Sequence, residues 1–124
     1  MAEGLTWIAI VDDDPSVLRS LTRTLRVHGF QTKAFGSAHQ FLAALSDGAP
    51  ACLIVDVQMP GMTGVELIQH LTSAGIHIPT IVVSAHSDIR VPGRPEFDGV
   101  ITVLPKPLRN AALFSAIKAA IGEP

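Results

Sequence analysis

The stretch "ACLIVDVQMPG", residues 51–61, decides the fold. Ala51 to Val55 carry no polar side chain, and a run this short ending before the Pro60-Gly61 turn reads as a buried strand. Strands that are apolar along their whole length belong to parallel sheets, which helices cover on both faces. Asp56 follows the run directly. Burying a carboxylate is costly unless something offsets its charge, so the surroundings of Asp56 carry the function as well as the fold.

Outward from that strand, strand and helix signals alternate. Upstream, Thr6 to Val11 is short and β-rich. Asp14-Pro15 then opens a helix with an N-cap and a proline in the first helical position. Val17, Leu18, Leu21 and Leu25 form its apolar face, Arg19, Arg23 and Arg26 its polar one, and His28-Gly29-Phe30 ends it. Gln31 to Phe35 is a second strand, and Ser37-Ala38-His39-Gln40 a capping box for a helix to about Ser46. Downstream, Thr63-Gly64-Val65-Glu66 is another capping box, opening a helix through Leu67, Ile68 and Leu71 that Gly75 closes. Pro79 to Ser84 and Val100 to Leu104 are the last two strands. The final helix runs from Arg109 to about Ile121, with Leu113, Phe114, Ile117 and Ile121 inward. The pattern predicts an α/β fold: an open, five-stranded parallel sheet of the flavodoxin type with helices on both faces.

The totals agree with one domain spanning residues 1–124. Hydrophobic residues make up 48% of the chain, yet no apolar run approaches the ~20 residues that cross a bilayer. Glu3 stands where a signal peptide carries a basic residue, so a soluble, cytoplasmic protein is expected, with no membrane partner. Nine basic residues against eleven acidic ones, without a basic cluster, give no nucleic-acid footprint. Cys52, the single cysteine, lies inside an apolar run and reads as a buried, inert thiol. The scattered His28, His39, His70 and His77 lack metal-ligand spacing.

Four of the five strands finish in chemistry. The first delivers Asp12 and Asp13, the third Asp56, the fourth Ser84 and the fifth Lys106. Asp14 is fully explained as an N-cap. In open α/β sheets ligands bind beyond the carboxyl ends of the strands, where strand order switches. Three converging carboxylates repel one another unless a cation lies among them, and oxygen ligands favour Mg²⁺ or Mn²⁺ over zinc. A divalent cation, the Lys106 ammonium and the Ser84 hydroxyl around one carboxylate make a site for a phosphoryl group. Asp56 is then the nucleophile, forming an aspartyl phosphate.

The segments "IVDDDPSVL" (10–18), "LIVDVQMPGMTG" (53–64), "IVVSAH" (81–86) and "VLPKPL" (103–108) resemble the four signatures of the response-regulator receiver domain, the CheY-like fold of two-component signalling. "SAHSD" and "MPGMTGVEL" look most like FixJ-type receivers. The resemblance implies Asp56 as phosphoacceptor, Asp13 as direct metal ligand and Asp12 as a residue that supports the direct ligands or reaches the metal through water. It adds the backbone carbonyl of Gln58 to the coordination. Ser84 matches the hydroxyl switch and Lys106 the phosphate-binding lysine, with a cis Lys106-Pro107 bond. Gln58 and His86 fall where relatives tune dephosphorylation. The implied donor is a sensor histidine kinase or phosphotransfer protein, and the implied output a change of downstream protein partner. On this reading the chain is a phosphoacceptor and not a turnover enzyme.

Other classes fit less well. A dehalogenase-type phosphatase wants a second Asp two residues after its nucleophile, where this chain has Gln58. A dinucleotide module needs a glycine-rich turn after the first strand, where this chain has Asp12-Asp13-Asp14-Pro15. A receiver-like scaffold indifferent to phosphate would not need the acidic pair, Asp56 and Lys106. One stretch departs from the family: "SDIRVPGRPEFDG", 87–99, puts Pro92, Gly93 and Pro95 where a receiver has its fourth helix. Each interior Pro costs ~3 kcal/mol and Gly ~1 kcal/mol relative to Ala, so at most one helical turn is expected there. Val103 also replaces the Tyr or Phe that often moves with the switch. The expectation is that signalling avoids the ordinary helix-strand-helix face.

Overall fold

The computed structural model describes residues 7–85 and 99–122. Its elements are β1 (Trp7–Val11), α1 (Pro15–Val27), β2 (Gln31–Phe35), α2 (Ala38–Ala44) and a 3₁₀ turn (Leu45–Asp47), followed by β3 (Cys52–Asp56), α3 (Gly64–Ser73), β4 (Thr80–Ser84), β5 (Val100–Pro105) and α4 (Asn110–Ile121). The five strands form one parallel sheet in the order β2-β1-β3-β4-β5. β3 and β4, in the middle, are buried at every position.

The strand period of two sorts the core into two layers. Ala9, Val11, Leu53, Val55 and Val82 pack with Phe41 of α2 and Leu67, Ile68 and Leu71 of α3. Ile8, Ile10, Cys52, Ile54, Ile81 and Val83 pack with Leu21 and Leu25 of α1 and Leu113 and Ile117 of α4. The sheet is therefore covered on both faces, as its apolar strands require.

Helix ends follow their capping residues. Asp14 accepts from the Ser16 N–H at 2.9 Å. At the far end of α1, Gly29 takes a φ of +91°, and the N–H groups of Phe30 and Gly29 donate to the carbonyls of Leu25 and Arg26, both at 3.0 Å. The Thr63–Glu66 box on α3 is complete, at 2.9 and 3.1 Å. The Ser37 box is only half formed: Ser37 accepts from the Gln40 N–H, but the Gln40 side chain accepts from Gly36 instead of from Ser37. β5 carries a bulge, since Thr80 pairs with Val100 and Ile81 with Thr102, leaving Ile101 unpaired and 42% exposed.

Among the described residues, no helix is long and apolar enough to cross a membrane. The broken helix expected over 87–99, with its consequence for the output face, lies outside the described residues except for Gly99. The sheet order switches between β1 and β3. The chain leaves β1 towards β2 on one side and returns to β3 on the other, which opens a crevice at the carboxyl ends of β1 and β3.

Candidate functional site

Asp12 and Asp13 leave β1 at that crevice. The Asp12 N–H still donates to the Phe35 carbonyl at 3.1 Å, so the ladder with β2 holds its backbone past the end of the strand. Asp56 is the last residue of β3, and the next N–H, of Val57, donates to the Val83 carbonyl at 3.0 Å. Lys106 follows β5, with its N–H on the Ser84 carbonyl at 2.9 Å and a cis bond to Pro107. The backbones that carry Asp12, Asp56 and Lys106 are thus held by the sheet.

The expected group comes together. Asp12, Asp13 and Asp56 each offer a carboxylate oxygen, and these oxygens lie within 4.8 Å of one another. Among the described residues no histidine joins such a cluster. Asp12 and Asp56 are 4% and 6% exposed, whereas Asp13 opens to solvent. The Lys106 ammonium stands 3.6 Å from Asp12 Oδ2 and 3.5 Å from Asp56 Oδ1. The lysine therefore stands between two carboxylates, Asp56 and Asp12. Ser84 is buried one residue beyond the Asp56–Val83 register pair. Gln58 is exposed, and its N–H approaches Asp56 Oδ1 at 3.4 Å. His86 lies outside the described residues.

Burial is the main reason the pKa of Asp12 is raised above the ordinary carboxylate value. The Asp14 N–H, 2.9 Å from Asp12 Oδ1, pulls it down, Asp56 pushes it up, and smaller effects come from Lys106 (down) and Asp13 (up). One ammonium does not neutralise three acids. The donor set fits a hard divalent cation, which takes oxygen ligands and adds the missing positive charge. Both oxygens of Asp12 already have partners, Asp14 N–H and Lys106, while Asp13 is exposed.

Sequence reasoning missed the role of Gly64. It opens α3 and donates its N–H to the Val57 carbonyl at 3.0 Å, against the backbone of Asp56. The one available signal was a glycine at the first position of a well-capped helix, where other residues form helix better.

A family profile described as the response regulator receiver domain matches residues 8–118. Nodulation protein W of Bradyrhizobium diazoefficiens is 37% identical over 113 residues, covering 91% of this chain and 50% of that protein. Transcriptional regulatory protein FixJ of Rhizobium meliloti is 35% identical, covering 91% of this chain and 55% of its own length. The crystal structure titled FixJ-N superposes with a TM-score of 0.81 at 36% identity, covering 94% of each chain. The chain spans about half the length of the curated relatives it matches.

Proposed function

The chain belongs to the response regulator receiver domain family, and from that premise we propose that it is a phosphoacceptor that takes a phosphoryl group onto Asp56. One observation carries the proposal: a buried carboxylate at the end of a central strand, 3.5 Å from an ammonium and clustered with two further acids. Residues 1–124 act as one receiver unit. The donor is a phosphohistidine of a sensor kinase or phosphotransfer protein, and cytoplasm is the compartment in which such a donor is met.

Asp56 attacks phosphorus through a carboxylate oxygen. The phosphorus–nitrogen bond of the donor breaks as the new phosphorus–oxygen bond forms, and the released imidazole takes a proton from solvent. β3 holds the nucleophile rigidly, so little orientation is left to achieve in the transition state. Lys106 offsets charge on the oxygens of the transferring group, leaving its resting carboxylate partners to do so. Asp13, Asp56 and the Gln58 carbonyl, with Asp12 in support, would hold Mg²⁺ or Mn²⁺, which would supply the remaining positive charge. Ser84, at the neighbouring strand end, donates its hydroxyl to the new phosphate, which couples the site to β4. The name of FixJ calls it a transcriptional regulator. This chain, as a receiver, is proposed to pass its state to a downstream protein partner and to touch no nucleic acid itself.

Incubation with a small phosphodonor and Mg²⁺ tests this reading. The expected product is a hydroxylamine-sensitive acyl phosphate, absent in excess EDTA and in Asp56→Asn. Undiminished labelling of Asp56→Asn overturns the assignment, and a wild-type protein that never labels favours a phosphate-independent scaffold.

A further inference from the structure

We propose that Gly64 is a positioning residue for Asp56: the first turn of α3 sits directly on the Asp56–Val57 peptide, and only a residue without a side chain lets it sit there. The inference rests on Asp56 being the phosphoacceptor. A Cβ on Gly64 would meet the Asp56 carbonyl oxygen in outright overlap and would come within 3.0 Å of the Asp56 carbonyl carbon and of Val57 Cα. All three are backbone atoms, so no flexible side chain can swing aside. Gly64 is not among the glycines with positive φ, in contrast to Gly61 at +76°. Conformational freedom is therefore not why glycine is needed at residue 64, and close approach is.

The approach is fixed from both sides. Thr63 and Glu66 lock the start of α3 by a complete capping box, and Leu67 and Ile68 anchor its next turn in the core. The Asp56–Val57 peptide is held in turn by the Val57 N–H on the Val83 carbonyl, and the peptide after it by the Gly64 N–H on the Val57 carbonyl. A methyl group wedged between them displaces either the helix start or the peptide that carries Asp56. The peptide lies next to the Asp56 Cα, so its shift turns the carboxylate away from Lys106 and from Asp12 and Asp13. The loop holding Gln58 closes between these two points and shifts with them.

Phosphorylation rate from acetyl phosphate at saturating Mg²⁺ and the affinity for Mg²⁺ alone, measured on wild type, Asp56→Asn and Gly64→Ala, test the inference. Labelled wild type beside inert Asp56→Asn establishes the underlying reading, and its failure there is separate from anything Gly64→Ala does. The expected result for Gly64→Ala is a loss on the order of 10- to 100-fold in rate, as for a nucleophile misplaced by about 1 Å, with weaker Mg²⁺ binding. Gly36→Ala, whose Cβ would meet only Gln40 Oε1 at 3.6 Å, retains both readouts. Ile117→Ala, in the core layer on the other sheet face, controls for lost stability. Equal losses in Gly64→Ala and a stability-matched Ile117→Ala overturn the proposal, as does wild-type behaviour of folded Gly64→Ala. Should Gly64→Ala not fold, Thr63→Ala combined with Glu66→Ala loosens the same turn without adding an atom. A fall of a fewfold or more in both readouts then supports the positioning role, and unchanged values overturn it.

Discussion

Asp12 is buried among two other carboxylates, and its raised pKa, caused first by burial, means that its charge opposes folding at neutral pH. A carboxylate whose folded pKa lies above its unfolded one destabilises the native state above that pKa, and the deficit disappears as pH falls through it. Asp12→Asn retains the acceptor for the Asp14 N–H and removes the charge, so it is expected to stabilise the metal-free protein at pH 7. The gain is on the order of 0.5–2 kcal/mol, typical of relieving strain built into a functional site. Urea midpoints in EDTA check this: the advantage over wild type shrinks as pH falls, and Mg²⁺ affinity drops. Lys106→Met has the opposite sign. It removes the counter-charge 3.6 Å from Asp12 and 3.5 Å from Asp56, and metal-free stability at pH 7 falls by about 1–2 kcal/mol. The loss stays that small because the lysine is 30% exposed and partly screened. Added Mg²⁺ restores the stability of Lys106→Met but not its phosphorylation rate, since the cation replaces the charge among the acids and not the contact to the phosphoryl group.

Whole elements can be tested in the same way. In β3, Cys52 is wholly buried, and burial pushes its thiol up to about 12. Native protein at pH 8 is expected to leave an aromatic disulfide reagent untouched, with labelling that appears only as denaturant opens the sheet; stoichiometric labelling within seconds would show that β3 is accessible. At the end of α1, Gly29 holds a φ of +91° with open space around a built Cβ. Gly29→Ala therefore pays only in backbone conformation. The left-handed penalty of about 1–2 kcal/mol exceeds the roughly 0.4–1 kcal/mol gained by stiffening the unfolded chain. A net destabilisation of roughly 0.5–1 kcal/mol is expected, read as a lower urea midpoint at unchanged slope. α3 differs from α1 in what its glycine does. Gly64 lets a helix start approach the strand end that carries Asp56, where Gly29 merely ends a helix.

For the molecule as a whole, one parallel sheet carries two core layers and brings Asp12, Asp13, Asp56, Ser84 and Lys106 to a single edge. That much was legible from strand periodicity, because in a parallel sheet every strand end points the same way and "LIVD", "IVDD" and "VLPK" each place chemistry there. The caps Asp14 and Thr63 were legible because their spacing to the first helical N–H groups is local. What was not legible is tertiary. The seat of Gly64 on the Asp56–Val57 peptide joins a strand to a helix start that only the folded loop brings together. The second carboxylate partner of Lys106, Asp12, depends on how β5 aligns beside β4. The central claim is that this edge turns Asp56 into an acyl phosphate, and reductive trapping reads it at the residue itself. Borohydride converts an aspartyl phosphate to homoserine, so after reaction with acetyl phosphate and Mg²⁺, peptide mass analysis is expected to find homoserine at position 56 and nowhere else. Homoserine at another aspartate, or aspartate unchanged at 56 in protein that has taken up phosphate, would contradict the account.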